Sequence, residues 1–307
     1  MIPGRSIAAL LVGLVAVSMA GPFIVLSQVG PFALPAWRLL AVVALLLPFA
    51  LPRLRADWTG LAPRDRALLA FSGVLYGAHF VAFTAAFRFT TKESAVMLLA
   101  GQPLLGAAYG ALFLGEAITR AMVAASSVAI LGLLLFVRFD ADRGEQALLG
   151  DALVLLCGLL IAICYGLGRR LRPRMSLVGY LSALYLVGGL TCLAGAVATG
   201  DPLGGYAPEG WFWLACAVVI STLVGHSCFH YAVKFVPVFQ VNLTILGEPV
   251  LALAVMAALR DRFPVLQTSE LTVRQALGGA VLLLGVGLGL WWGRAGAQEP
   301  PPAEDAP

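Results

Sequence analysis

The residue with the most chemistry to offer is Glu248, set in the apolar run 245-ILGEPV-250. A carboxylate at the centre of an apolar helix costs roughly 2.5 to 3.5 kcal/mol on insertion scales. It must therefore face water, pair with a partner or hold a proton. Such a group binds the amine of a solute or carries a proton that exchanges for solute, and beside Pro249 it can also be a structural acid. Residues four apart share a helix face, so Gln240, Thr244 and Glu248 form one polar stripe and Thr222, His226 and His230 a second. Two imidazoles at i and i+4 can share a divalent ion, but zinc wants about four ligands, and only His79 and Glu248 offer themselves as others. Solute contact or pH sensing suits the imidazole titration range, and a hydrogen-bonded packing role is the third reading. His79, one turn from Tyr76, reads as a satisfied interior histidine. Gln102 is neutral and either orients a solute or bridges helices. Arg38 follows Trp37 and either attracts a solute carboxylate or, more simply, snorkels to an interface with Trp37 as anchor.

These residues are embedded in a chain of 307 residues that is 60% hydrophobic and 12% charged, with a mean hydropathy of +0.92. A soluble domain carries about 25% charged residues. A water-soluble enzyme, a disordered regulator and a nucleic-acid-binding module are excluded in bulk, and the chain reads as an all-α membrane protein. A bilayer core of about 30 Å takes about 20 apolar helical residues. Ten apolar runs qualify, at approximately 6–28, 34–52, 66–87, 94–114, 119–138, 148–168, 177–199, 211–232, 239–259 and 275–293. The linkers between them are short and polar, which leaves no room for a soluble domain. The first run is long enough to be a retained span despite its signal-like Ser18-Met19-Ala20. Residues 294–307 are Pro-rich and acidic and are expected to form a disordered cytoplasmic tail. With ten spans both termini lie on one side. The arginine clusters Arg53, Arg55, Arg64, Arg66 and Arg169, Arg170, Arg172, Arg174 assign that side to the cytoplasm. The cysteines at 157, 164, 192, 216 and 228 show no paired spacing and read as packing residues.

A shift of 146 residues lays 83-FTAAFRFTTKESAVMLLAGQPLLGAAYGA-111 over 229-FHYAVKFVPVFQVNLTILGEPVLALAVMA-257 without a gap. The shared Phe-x-x-Ala-x-[RK]-Phe and Gly-[QE]-Pro carry the match. The repeats are expected over 1–140 and 148–293. Each holds five spans, an odd number, so the second copy crosses in the opposite sense, the inverted-repeat plan of secondary transporters.

Arg88 to Glu93, Gly101-Gln102-Pro103 and Leu114-Gly115-Glu116, followed by a Gly-rich span, resemble the first half of an EamA-type member of the drug/metabolite transporter superfamily. Lys234 to Pro237, Glu248-Pro249-Val250 and the Gly-rich last span resemble its second half. Two departures mark divergence of the halves: Arg260-Asp261-Arg262 stands opposite Leu114-Gly115-Glu116, and Leu184 stands opposite Arg38. The resemblance implies a ten-helix transporter with cytoplasmic termini and a central cavity lined mainly by the third, fourth, eighth and ninth helices. It further implies export of a small organic solute, such as an amino acid or related metabolite, by alternating access. No GxxxxGK[ST] motif is present, so coupling is expected to a proton gradient or to the solute's own gradient. No other cofactor is expected. The expected partners are a small-molecule substrate and the lipid bilayer, with a homodimer possible and nucleic acid excluded. The substrate-contacting set is Glu248, Gln102, His226, His230, His79, Tyr76, Thr244, Trp37 and Arg38. A membrane-embedded metal-dependent hydrolase built on His79, His226, His230 and Glu248, and an uncoupled facilitator, are the competing readings.

Overall fold

The computed structural model describes residues 4–86, 88–90, 102–136, 145–266 and 272–293. Among the described residues eight helical segments are long and apolar enough to cross a membrane. They are α1 (Gly4–Ser27), α2 (Ala33–Thr59), α3 (Pro63–Ala86), α6 (Glu145–Leu171), α7 (Leu177–Thr199), α8 (Pro208–Ala232), α9 (Val238–Leu259) and α10 (Val273–Gly293). Two shorter apolar helices, α4 (Gln102–Leu114) and α5 (Arg120–Phe136), complete the described set. The expected starts of the fourth span at 94–101, the ends of the third and fifth spans at Phe87 and at 137–138, and the tail at 294–307 lie outside the described residues.

The helices outrun their apolar cores where polar residues continue the pattern. α2 runs to Thr59 rather than stopping near Pro52. Its last turns are held by neighbours beyond the apolar run. Arg66 donates to the Trp58 carbonyl at 3.0 Å and lies over the Trp58 ring at 5.2 Å.

Among the described residues three spans are discontinuous. α1 is broken at Met19, between Gly4–Ser18 and Ala20–Ser27. Pro22, third in the second piece, has no N–H to continue the ladder. α8 passes through a π-helical stretch, Ala217–His226, between two α-helical pieces. α9 is interrupted at 246–247, so that Glu248 opens the helix Glu248–Leu259 with Pro249 in its first turn.

The packing repeats itself when the halves are exchanged. Corresponding helices pair directly: α2 with α7, α4 with α9 and α5 with α10. Other contacts swap in kind, α3 against α6 matching α8 against α1. Small residues set the distances. A Cβ on Gly77 would stand 2.5 Å from the Gly188 carbonyl oxygen, which places α3 backbone against α7 backbone.

Charged groups gather at the helix ends. At one end Asp65 pairs with Arg174 and, at 3.6 Å, with Arg170, and Asp57 accepts from the Ser176 backbone N–H at 3.0 Å. The two arginine clusters thus share one end of the bundle. At the other end the Asp201 carboxylate accepts from the Phe32 and Ala33 N–H groups at 2.8 and 3.0 Å and caps α2.

Candidate functional site

A narrow cavity lies where the two halves meet. It is lined by Val17 and Ala20 of α1, Arg38 of α2, His79, Phe80 and Phe83 of α3, and Gln102 of α4. The second half adds Cys157, Ile161 and Tyr165 of α6, His226 and Phe229 of α8, and Ile245 and Glu248 of α9. The expected third, fourth, eighth and ninth helices all contribute, and α1, α2 and α6 join them. Its volume of about 40 Å³ admits a few water molecules. A whole metabolite needs the helices to part.

Arg38 and Glu248 are the charged groups of this wall. Arg38 is 1% exposed, donates from Nε to Thr222 Oγ1 at 2.9 Å and lies 4.7 Å from the Phe80 ring centre. It also lies within electrostatic reach of Glu248. The snorkelling reading of Arg38 is therefore replaced: the guanidinium turns inward, where the Thr222 hydroxyl and the face of the Phe80 ring receive it. Trp37, about 100° around the helix from its neighbour, turns outward. Its indole donates to the Leu203 carbonyl at 3.0 Å and meets Trp211 edge-on, outside the cavity wall.

Glu248 owes its position to the interruption of α9. As the first residue of a helix it sits where unpaired N–H groups and the helix dipole favour a negative charge. The same interruption dissolves the stripe read from the sequence. Thr244 donates back to the Gln240 carbonyl, and Gln240 donates to the Gly289 carbonyl of α10. Four-residue spacing holds a face only along a continuous helix, so Thr244 is buried in the packing while Glu248 lines the cavity.

Gln102 lines the cavity and also bridges the halves, donating to Asn242 Oδ1 at 2.9 Å. Asn242 in turn donates to the Val238 carbonyl at 2.8 Å. His79 Nδ1 lies 3.1 Å from the Cys157 carbonyl. A carbonyl only accepts, so Nδ1 is the donor in this contact. His226 lines the cavity, with Tyr76 edge-on to it at 5.9 Å. Tyr76 and His230 are fully buried behind the wall. Of the nine residues expected at the site, the structure brings Glu248, Gln102, His226, His79 and Arg38 to the cavity, and sets Tyr76, His230, Thr244 and Trp37 away from it.

Tyr165 and Asn242 carry no signal of their own in the sequence, and Cys157, read there as a packing residue, stands in the cavity wall. Cys157, Ile161 and Tyr165 do stand four apart on α6, a signal that was present but looked like ordinary apolar packing. Among the described residues no group of three His, Cys, Asp or Glu gathers as a metal site.

A solved crystal structure of a protein superposes with a TM-score of 0.74 at 16% identity, covering 94% of this chain and 98% of its own. That likeness shows the fold. No curated protein matches the sequence. The model of the EamA-like transporter family matches twice, over residues 5–138 and 148–291. Two matched repeats enclosing one cavity between apolar helices identify the chain as a member of the EamA-like transporter family, a multi-pass membrane transporter of the drug/metabolite transporter superfamily.

Proposed function

We propose that this protein is a secondary active exporter of small organic solutes of the amino acid class, working by alternating access of two inverted five-helix repeats, 1–140 and 148–293, in the inner membrane. In this reading ten spans place both termini, and the tail at 294–307, in the cytoplasm. The observation that carries it is that Arg38 and Glu248 line the same cavity. A guanidinium receives a carboxylate and a carboxylate receives an ammonium, so the two groups suit a zwitterion once the helices part, with Phe80, Phe83 and Phe229 for its side chain. Pairing of corresponding helices across the halves supports rocking of one repeat against the other. Glu248 carries the coupling proton: with solute bound the carboxylate is charged, and without it a proton takes the solute's place.

The test is uptake into proteoliposomes of a mixed panel of labelled amino acids and metabolites, with and without an imposed pH gradient, beside Glu248→Gln. Gradient-driven accumulation in the parent that disappears in the variant supports the coupled exporter. Accumulation that survives in Glu248→Gln replaces it with an uncoupled facilitator. Absence of uptake of every amino acid by the folded protein overturns the substrate class.

A further inference from the structure

Behind the cavity wall, His230 of α8 is enclosed by four tyrosine rings from three other helices. The ring centres of Tyr76, Tyr165, Tyr180 and Tyr185 lie 5.3, 5.2, 5.5 and 6.2 Å from the imidazole. All five residues are fully buried. Neither imidazole nitrogen and none of the four hydroxyls has a hydrogen-bond partner among the described residues, and the Ser72 and Ser227 hydroxyls are in the same condition. Tyr185 lies beside Tyr76 and Ser227, and Tyr180 beside Ser72, without the geometry of a hydrogen bond.

Native proteins leave only a few buried polar atoms unpaired per hundred residues, each costing roughly 1 to 3 kcal/mol. Here they collect in one place, around the His230 ring. Hydroxyls and a neutral imidazole all donate and accept, so they fit a small neutral ligand that does both. The flanking charges are Arg172 on the side of the arginine-rich end, its Nε donating to the His230 carbonyl at 3.1 Å and its guanidinium 5.7 Å from the Tyr180 ring centre, and Arg38 and Glu248 in the cavity wall. Tyr165 belongs both to the cavity wall and to the cluster, and joins the two.

We propose that the His230 cluster is a bound-water site opening onto the cavity at Tyr165, in which ordered waters bridge the imidazole and the tyrosine hydroxyls. The site hydrates the interior of the bundle where α3, α6, α7 and α8 meet. It does not depend on which solute is carried.

Pulsed radiolytic hydroxylation of the full-length protein in lipid nanodiscs, read by mass spectrometry, tests the site, because bound water generates the labelling radical beside it. After correction for intrinsic reactivity, Tyr76, Tyr165, Tyr180 and Tyr185 are expected to label closer to the rate of Tyr206, in a loop, than to that of buried Phe239. Labelling as slow as Phe239 overturns the proposal. Tyr165→Phe supplies an independent sign. In a hydrated cluster it removes a used hydroxyl and lowers the melting temperature; a rise in melting temperature, the relief of an unused buried hydroxyl, also overturns it.

Discussion

Arg38 Nε donates to Thr222 Oγ1, and the same hydroxyl donates to the Ala217 carbonyl at 3.0 Å, five residues back along its own helix. That second bond has the i to i−5 spacing of the π-helical stretch Ala217–His226. The wide turn, a form concentrated at functional sites, fixes the hydroxyl's proton away from the arginine and its lone pairs toward it. A residue of the first half is thereby aimed into the cavity by a residue of the second.

Thr222→Val should therefore loosen the guanidinium without removing it. A hydrogen bond to a charged group contributes about 1.5 to 3 kcal/mol, so solute affinity in counterflow assays is expected to fall by about tenfold or more. Thr222→Ser, which keeps the acceptor, should stay near the parent. Equal loss in both would place the cause in helix packing and not in the arginine.

The bundle was legible in the sequence because apolar length and arginine placement are properties of the chain itself. The polar faces were less so. Glu248 was found by its cost in an apolar run, but its stripe with Thr244 failed where the helix is interrupted at 246–247. Arg38 was read outward because Trp37 precedes it and because Thr222 and Phe80, which draw it inward, are distant in sequence. Tyr165 and Asn242 carry no mark of their own. Their partners come from other helices, and spacing along one helix does not reveal them.

The Gln102 to Asn242 bond joins α4 to α9 within the buried interface. Asn242→Leu leaves the Gln102 amide without its acceptor and should destabilise the protein by about 1 to 3 kcal/mol. Combining it with Gln102→Leu removes both partners and should cost less than the sum of the two single changes, by about 1 kcal/mol. Thermal unfolding of the four proteins in detergent closes the cycle. Strict additivity would mean that the two amides do not support each other.

The close crossing of α3 and α7 gives a steric prediction. Valine at position 77 drives its Cβ against the Gly188 carbonyl, which as backbone cannot move aside. Overpacking of this kind costs typically about 1 to 3 kcal/mol, so Gly77→Val should lower the melting temperature by several degrees. Gly287 in α10 has open space at its Cβ position. Gly287→Ala should be neutral or stabilising by up to about 1 kcal/mol, since alanine is the better helix former. Equal behaviour of the two substitutions would contradict the crossing.

At the arginine-rich end the Glu116 carboxylate, in the connection between α4 and α5, pairs with Arg169 of α6 at 3.4 Å and accepts the Val238 N–H of α9 at 3.1 Å. Arg169 also donates to the Lys234 carbonyl at 2.7 Å. Burial pushes the Glu116 carboxyl above the ordinary carboxylate range, against the pull of Arg169 and of the Val238 N–H. A carboxyl raised on folding binds more proton in the folded than in the unfolded state. Its contribution to stability is therefore complete below the ordinary range and is lost as pH rises through the raised value. Melting temperature should accordingly fall as pH rises from the ordinary carboxylate range toward neutrality, and Glu116→Gln should remove that part of the slope. Arg169→Leu should steepen it, because the carboxylate then remains buried without its countercharge. Identical pH profiles in the parent and in Glu116→Gln would show that ionisation of this carboxyl does not govern the joint between the halves.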